Sequence, residues 1–129
     1  MDKNSIIEAA RKYLDIPYRH QGRCVAGMDC IGLVIAVGRD LGCTLDDIYA
    51  YEKIPDPQTL YEGLDANFTR VLRYQPGDIL VLRINREPQH IAIYTGSTMI
   101  HSYERAGKVC ENRFSEGWRA RVLRSYKYE

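Results

Sequence analysis

The residues in this chain best suited to covalent chemistry are a cysteine and two histidines. Cys30 stands in Asp29-Cys30-Ile31-Gly32-Leu33-Val34, and His90 and His101 follow on separate apolar segments. A thiol attacks as its thiolate, which is scarce at neutral pH unless its surroundings favour the anion. A helix N-terminus offers unpaired N–H groups and the positive end of the helix dipole. Asp29 as cap with Cys30 at the first helical position would supply that setting, and a nearby imidazole would stabilise the thiolate further as an ion pair. A cysteine on an apolar helix is also an ordinary core residue, so the histidines must carry the argument.

On a strand, alternate residues share a face. His90 then points with Ala92 and Tyr94, and His101 with Met99 and Tyr103. Adjacent antiparallel strands would bring the imidazoles side by side, one as base and the other fixing its tautomer. The small Ala92 would let the Cys30 helix approach that face closely. Tyr18, on the loop leading to Cys30, could donate its phenol to a developing oxyanion alongside the Cys30 backbone N–H. Arg23 on the same loop is a candidate contact for a substrate carboxylate, and Asp29 is a further candidate beside the substrate. His20 lies in the same loop with no assigned role.

These side chains need elements to hold them. Ser5 and Glu8 read as a capping box opening a helix from about Ser5 to Leu14, which Asp15-Ile16-Pro17 would end. The Cys30 helix is apolar nearly all round through Val37, as a buried helix is, and Gly42 would stop it. A third helix is expected over 57–67, with Asp56 as cap and Pro57 at the first helical position. Strands are expected over 69–74, 79–84, 90–95, 98–103, 108–114 and 119–126, with turns at Gln75-Pro76-Gly77-Asp78, Gly96-Ser97 and Ala106-Gly107. Helices first and strands second give an α+β fold, the buried helix packed on an antiparallel sheet.

The bulk properties set limits. A chain of 129 residues with 45% apolar content suits one domain over 1–129 with a packed core. Eighteen Lys and Arg against 17 Asp and Glu leave no general footprint for nucleic acid. No apolar run is long enough to span a bilayer, and the start MDKNSIIEAARKYL lacks the pattern of a secretory signal. The expected location is therefore cytoplasmic or virion-associated. The four cysteines form no CxxC pair of a structural zinc site, and reduced thiols are the default without export.

Taken together, the motifs resemble the NlpC/P60 family of cell-wall peptidases, which have a papain-like core. The resemblance runs through Pro17-Tyr18, Asp29-Cys30-Ile31-Gly32-Leu33-Val34, Pro76-Gly77-Asp78 with Ile79-Leu80-Val81-Leu82, His90-Ile91-Ala92-Ile93-Tyr94 and Ile100-His101, and covers nearly the whole chain. It implies Cys30 as nucleophile, His90 as general base and acid, His101 as the orienting third member and Tyr18 on the oxyanion side. It further implies hydrolysis of the bond between D-γ-glutamate and the diamino acid of peptidoglycan stem peptides, with no metal or cofactor. The loop Tyr18-Arg19-His20-Gln21-Gly22-Arg23 is similar to versions carried by phage tails and gene transfer agents, which would make phage tail proteins partners. Two departures stand out. Ile31 replaces the usual serine after the cysteine, and Gln21-Gly22 replaces a common Gly-Gly. The domain is expected to act without a wall-binding module. Other readings keep the scaffold and change the outcome: a cell-wall amidase or acyltransferase, or a phage tail subunit without turnover.

Overall fold

The computed structural model describes residues 1–47, 56–84 and 87–128, with the side chains of 87–89 left aside. Helix α1 spans Lys3–Arg11. Its cap is Asp2, not Ser5. The Asp2 carboxylate accepts the N–H groups of Asn4 and Ser5 at 3.4 and 3.2 Å, and the Ser5 hydroxyl donates to it at 3.0 Å. A charged acceptor three residues upstream takes the role that the capping-box pattern assigned to Ser5. The helix also stops three residues early. Tyr13 and Leu14 bond back to Ala10 and Arg11 in tight turns, and Asp15 leaves at φ 73°. Ile6, Ile7, Ala9 and Ala10 form its buried side.

The loop after Pro17 contains two short antiparallel strands that the sequence did not announce, β1 (Arg23–Cys24) and β2 (Gly27–Met28). At two residues each they carry no periodicity to read. Helix α2 then runs over Cys30–Asp40, with Asp29 accepting the Gly32 N–H. It ends as expected before Gly42, which sits at φ 86° where a side chain would strain the turn. Helix α3 covers Pro57–Asn67 behind Asp56.

Six strands follow: β3 (Thr69–Val71), β4 (Ile79–Ile84), β5 (Glu87–Tyr94), β6 (Thr98–Tyr103), β7 (Lys108–Arg113) and β8 (Val122–Lys127). They form one sheet in the order β3-β8-β4-β5-β6-β7, antiparallel throughout. The α+β architecture with helices packed on an antiparallel sheet is thus the observed one. Strand β3 stops at Val71, and Leu72 beyond it is 97% exposed. The last strand was expected from Arg119; that residue instead ends a helical turn, α4 (Glu116–Arg119), which Ser115 caps through the Trp118 N–H at 3.3 Å, and β8 starts at Val122. Edge strand β7 is covered near its start by the segment before the loop: Asp15 N–H donates to the Val109 carbonyl, Val109 N–H to Ile16, and Tyr18 N–H to Gly107.

The two faces of the sheet bury different sets. Ile79, Val81, Ile91, Ile93, Ile100 and Val109 face the helices and pack with Leu33, Val34 and Val37 of α2. Leu80, Leu82, Ala92 and Met99 face the other way, under Phe114, Trp118 and Tyr74. This overturns the expectation that Ala92 clears a path for α2. The helix lies against Ile91 and Ile93, on the face opposite Ala92, because those two branched side chains supply the apolar surface its all-apolar flank needs.

Candidate active site

Cys30 begins α2, and the backbone around it is held from several directions. One Asp29 carboxylate oxygen accepts the Gly32 N–H at 2.8 Å and the Arg23 guanidinium at 3.1 Å, and the other accepts the Gln21 N–H at 2.9 Å. Asp29 is buried, so these bonds are little weakened by water. Arg23 was expected to meet a substrate carboxylate; the carboxylates it faces are the protein's own. Its Nε lies 2.7 Å from Asp47, its Nη1 reaches Asp29 and the Gly22 carbonyl, and its side chain is 11% exposed. Asp29 and Arg23 therefore shape the turn into the helix. Gly32 is required there for space: a Cβ on it would lie 2.2 Å from the Gly22 carbonyl oxygen.

The thiol meets the sheet where two strands part. Pairing between β5 and β6 is confined to Ile93–Ile100 and Tyr94–Met99. Beyond it no pairing joins the two strands towards His90 and His101. There the Ile91 N–H, which neighbours His90 on β5, is aimed at the Cys30 sulfur. Burial pushes the thiol up to about 12, the Asp29 charge adds to the rise, and the N–H groups of Ile91, Ile31 and Cys30 pull against it. The helix terminus alone does not outweigh burial. Burial therefore works against the thiolate that the helix terminus favours.

Both histidines are buried, His90 at 5% exposure and His101 at 0%. They are diagonal neighbours across the parting strands rather than directly opposed, and His90 Nε2 lies 2.6 Å from His101 Nδ1. His90 is held well below the ordinary imidazole range by burial and then by His101; burial also lowers His101, against an opposing hydrogen bond from Asn112. Neutral rings are the consistent state of both.

Three further residues surround the imidazoles: Tyr103, already placed on the His101 face, and Asn112 and Trp118, which escaped the sequence reading. The side-chain oxygen of Asn112 lies 2.6 Å from His101 Nε2. Tyr103 stacks on His101 with ring centroids 5.1 Å apart, and Trp118 meets the same ring edge-on at 5.6 Å. The signal for Asn112 was its position on the strand after the His101 strand, but it needed the register, in which His101 opposes Cys110 and Asn112 stands two residues on, on the same face. Trp118 had no such signal, since it lies between the two last expected strands, in a stretch assigned to no element, where α4 forms.

Tyr18 is half-buried beside this group, fixed by its N–H on the Gly107 carbonyl. Burial raises its phenol, followed by the proximity of Cys30, Asp29 and Glu104, so the hydroxyl keeps its proton and remains a donor. His20 is half-buried on the loop before β1. Among the described residues no group of three or more His, Cys, Asp or Glu side chains is arranged to hold a metal ion, and no helix is long and apolar enough to cross a membrane.

Comparison with known proteins agrees with this fold. The chain is 26% identical over 115 residues to dipeptidyl-peptidase 6 of Lysinibacillus sphaericus; the match takes in 88% of this chain and 37% of that protein. An NlpC/P60 family protein from Bacillus cereus superposes with a TM-score of 0.76 at 21% identity, over 99% of this chain and 40% of the other. The NlpC/p60 domain of the peptidoglycan hydrolase SagA superposes with a TM-score of 0.68 at 24% identity, over 98% of this chain and 99% of the domain. The chain thus spans well under half the length of the curated relative. The NlpC/P60 family profile matches residues 15–127, a span running from the turn before Tyr18 through every strand of the sheet, and the chain belongs to the NlpC/P60 family.

Proposed function

We propose that this chain is a cysteine peptidase that hydrolyses amide bonds in peptidoglycan stem peptides, at the bond between D-γ-glutamate and the diamino acid. The contact that carries the reading is His90 Nε2 to His101 Nδ1 at 2.6 Å, on strands that part around the sulfur of Cys30. Family membership and the activities named for SagA and the dipeptidyl-peptidase support the substrate class.

In this reading His90 engages His101 through Nε2, which leaves Nδ1 for the thiol. As the sulfur attacks the amide carbonyl, its proton passes to His90 Nδ1, so the low proton affinity of the buried imidazole is offset by the transfer being concerted with attack. The Cys30 N–H and the protonated Tyr18 hydroxyl receive the oxyanion. The carbon–nitrogen bond breaks as His90 returns the proton to the leaving amine. Water then cleaves the thioester, giving the new carboxylate and the free thiol. Asp29 and Arg23 act by holding the turn that presents Cys30.

The test is digestion of defined muropeptides followed by mass analysis, with a thiol-directed epoxide probe on the same protein. Cleavage between D-glutamate and the diamino acid, abolished by Cys30→Ala in a folded variant, is the expected result. Release of the stem at its sugar-linked end would point to an amidase. Unaltered turnover in Cys30→Ala would refute the mechanism, and absent turnover with no selective labelling of Cys30 would refute the enzyme.

A further inference from the structure

We propose that Asn112 is a positioning residue whose amide orientation fixes the tautomers of both buried imidazoles and so makes His90 Nδ1 the basic nitrogen. The inference deepens the function proposed above and rests on it for its catalytic meaning; its structural content can be tested without it.

The argument is proton bookkeeping along one chain of contacts: Asn112 Oδ1 to His101 Nε2 at 2.6 Å, and His101 Nδ1 to His90 Nε2 at 2.6 Å. Each neutral imidazole has one N–H and one lone pair. An amide oxygen only accepts, so with Oδ1 facing His101 the proton sits on His101 Nε2. His101 Nδ1 is then a lone pair and must accept from His90, which puts the His90 proton on Nε2. Nδ1 of His90 is left with the lone pair that can take a proton from Cys30. Turning the amide over inverts every step. Asn112 Nδ2 would donate to His101 Nε2, His101 Nδ1–H would donate to His90, and His90 would present N–H where a base is needed.

What selects the productive orientation lies on the next residue. Asn112 Nδ2 donates to the Arg113 carbonyl at 3.3 Å. On the other side, the Cys110 thiol is 3.8 Å from Oδ1 and can donate weakly to it. With the amide reversed, its oxygen would face the Arg113 carbonyl, acceptor against acceptor. Tyr103 stacked on His101 and Trp118 at its edge hold the ring in plane for this contact. His101 is fully buried and Asn112 half-buried, so the contact is partly shielded from solvent. In the imidazolium form both His90 nitrogens carry protons, and its Nε2–H still meets the His101 lone pair. The same arrangement therefore serves both proton states.

The experiment uses the full chain labelled with ¹⁵N-histidine. Long-range ¹H–¹⁵N spectra at pH 9, above the imidazole range, report which nitrogen of each ring carries the proton, alongside kcat and KM on a stem peptide. The wild type is expected to show His90 and His101 both protonated at Nε2. Asn112→Leu, which removes the acceptor at similar volume, should lose this single pattern. Its kcat should fall about tenfold or more, the worth of one buried hydrogen bond, with KM little changed. Asn112→Asp, which retains an acceptor oxygen, should keep the pattern and most of the rate at that pH. Wild-type His90 carrying its proton at Nδ1 would overturn the inference whatever the variants do. An Asn112→Leu protein with wild-type tautomers and kcat would overturn it as well. If the wild type shows the expected tautomers but cleaves nothing, the proposed function fails and the role of Asn112 as a tautomer lock stands.

Discussion

Replacing Gly32 by Ala sets two physical effects against each other with opposite signs. The exchange inside a helix favours Ala by up to about 1 kcal/mol from propensity alone. Against it stands the Gly22 carbonyl oxygen, 2.2 Å from where the new methyl would lie, with Met28 Cβ at 3.2 Å and Asp29 Oδ1 at 3.3 Å. That oxygen is roughly 1 Å inside an ordinary carbon–oxygen contact. It is backbone and cannot swing away. It also accepts the Arg23 guanidinium, while the Gly22 N–H is tied to Arg19. Retreat would carry the loop with it and loosen Arg23 from Asp29. Overpacking of this kind costs about 1–3 kcal/mol, and a weakened charge-assisted hydrogen bond adds about 1 kcal/mol or more. After the propensity gain, a net loss of about 1–3 kcal/mol is expected. Equilibrium urea unfolding reads this as a lower midpoint at unchanged slope. Gly38→Ala is the control: its Cβ would meet the Leu45 methyl at 2.6 Å, the far end of a side chain, and the buried Tyr128 ring at 3.1 Å, with no backbone atom among its nearest neighbours; its cost should be the smaller. A Gly32→Ala protein as stable as wild type, or more stable by the propensity gain, would refute the close approach on which the turn into Cys30 is built.

Two further outcomes follow from buried charge. Arg23→Ala removes the guanidinium from Asp29 and Asp47, whose side chains are 4% and 3% exposed, and should cost about 3–5 kcal/mol in the same assay; a loss under about 1 kcal/mol would mean that water reaches these carboxylates freely. His90 and His101 have folded-state proton affinities below the ordinary value of 6.5. The unfolded chain therefore binds more protons below that pH, and native stability falls as the solution is acidified from pH 6.5. The slope is at most about 1.4 kcal/mol per unit for each histidine until its folded value is reached. Urea midpoints that stay level or rise between pH 7 and pH 5 would contradict neutral buried rings.

The parts of this site legible in the sequence are those where local rules act alone. Asp29 as cap, Pro57 at the start of α3, Pro76-Gly77 before β4 and the alternation in β6 depend on neighbours a few residues away, and α3, β4 and β6 have the bounds expected of them. The misplaced elements each involve competition between local choices. Asp2 outcompetes Ser5 as a cap because it is charged and earlier. Ser115 caps α4, so Arg119, the expected first residue of the last strand, ends a helical turn and β8 starts at Val122. Distance in sequence hid the rest. The contacts of Arg23 with Asp47, of His101 with Asn112, and of Trp118 with both imidazoles are set by sheet register and loop packing. No periodicity encodes them.

The parting of β5 and β6 reconciles a helix on one face of the sheet with imidazoles on the other. Had the register of Ile93 with Ile100 continued, Ile91 would stand opposite Ser102, and strand pairing there would close the sheet between the sulfur and the histidines. Ser102 does not take that place. It is 1% exposed, and its hydroxyl donates to the Met28 carbonyl at 2.6 Å, binding β6 to the hairpin before Cys30. The Ile91 N–H, released from any partner on β6, is directed at the Cys30 sulfur. A buried N–H seldom goes without an acceptor, so the thiol entering the gap satisfies the donor that the gap exposes. The opening between the strands and the placement of the sulfur are in this sense one feature. That is why the helix can bury its apolar flank on Ile91 and Ile93 while the sulfur of its first residue meets the Ile91 N–H, next in the chain to His90.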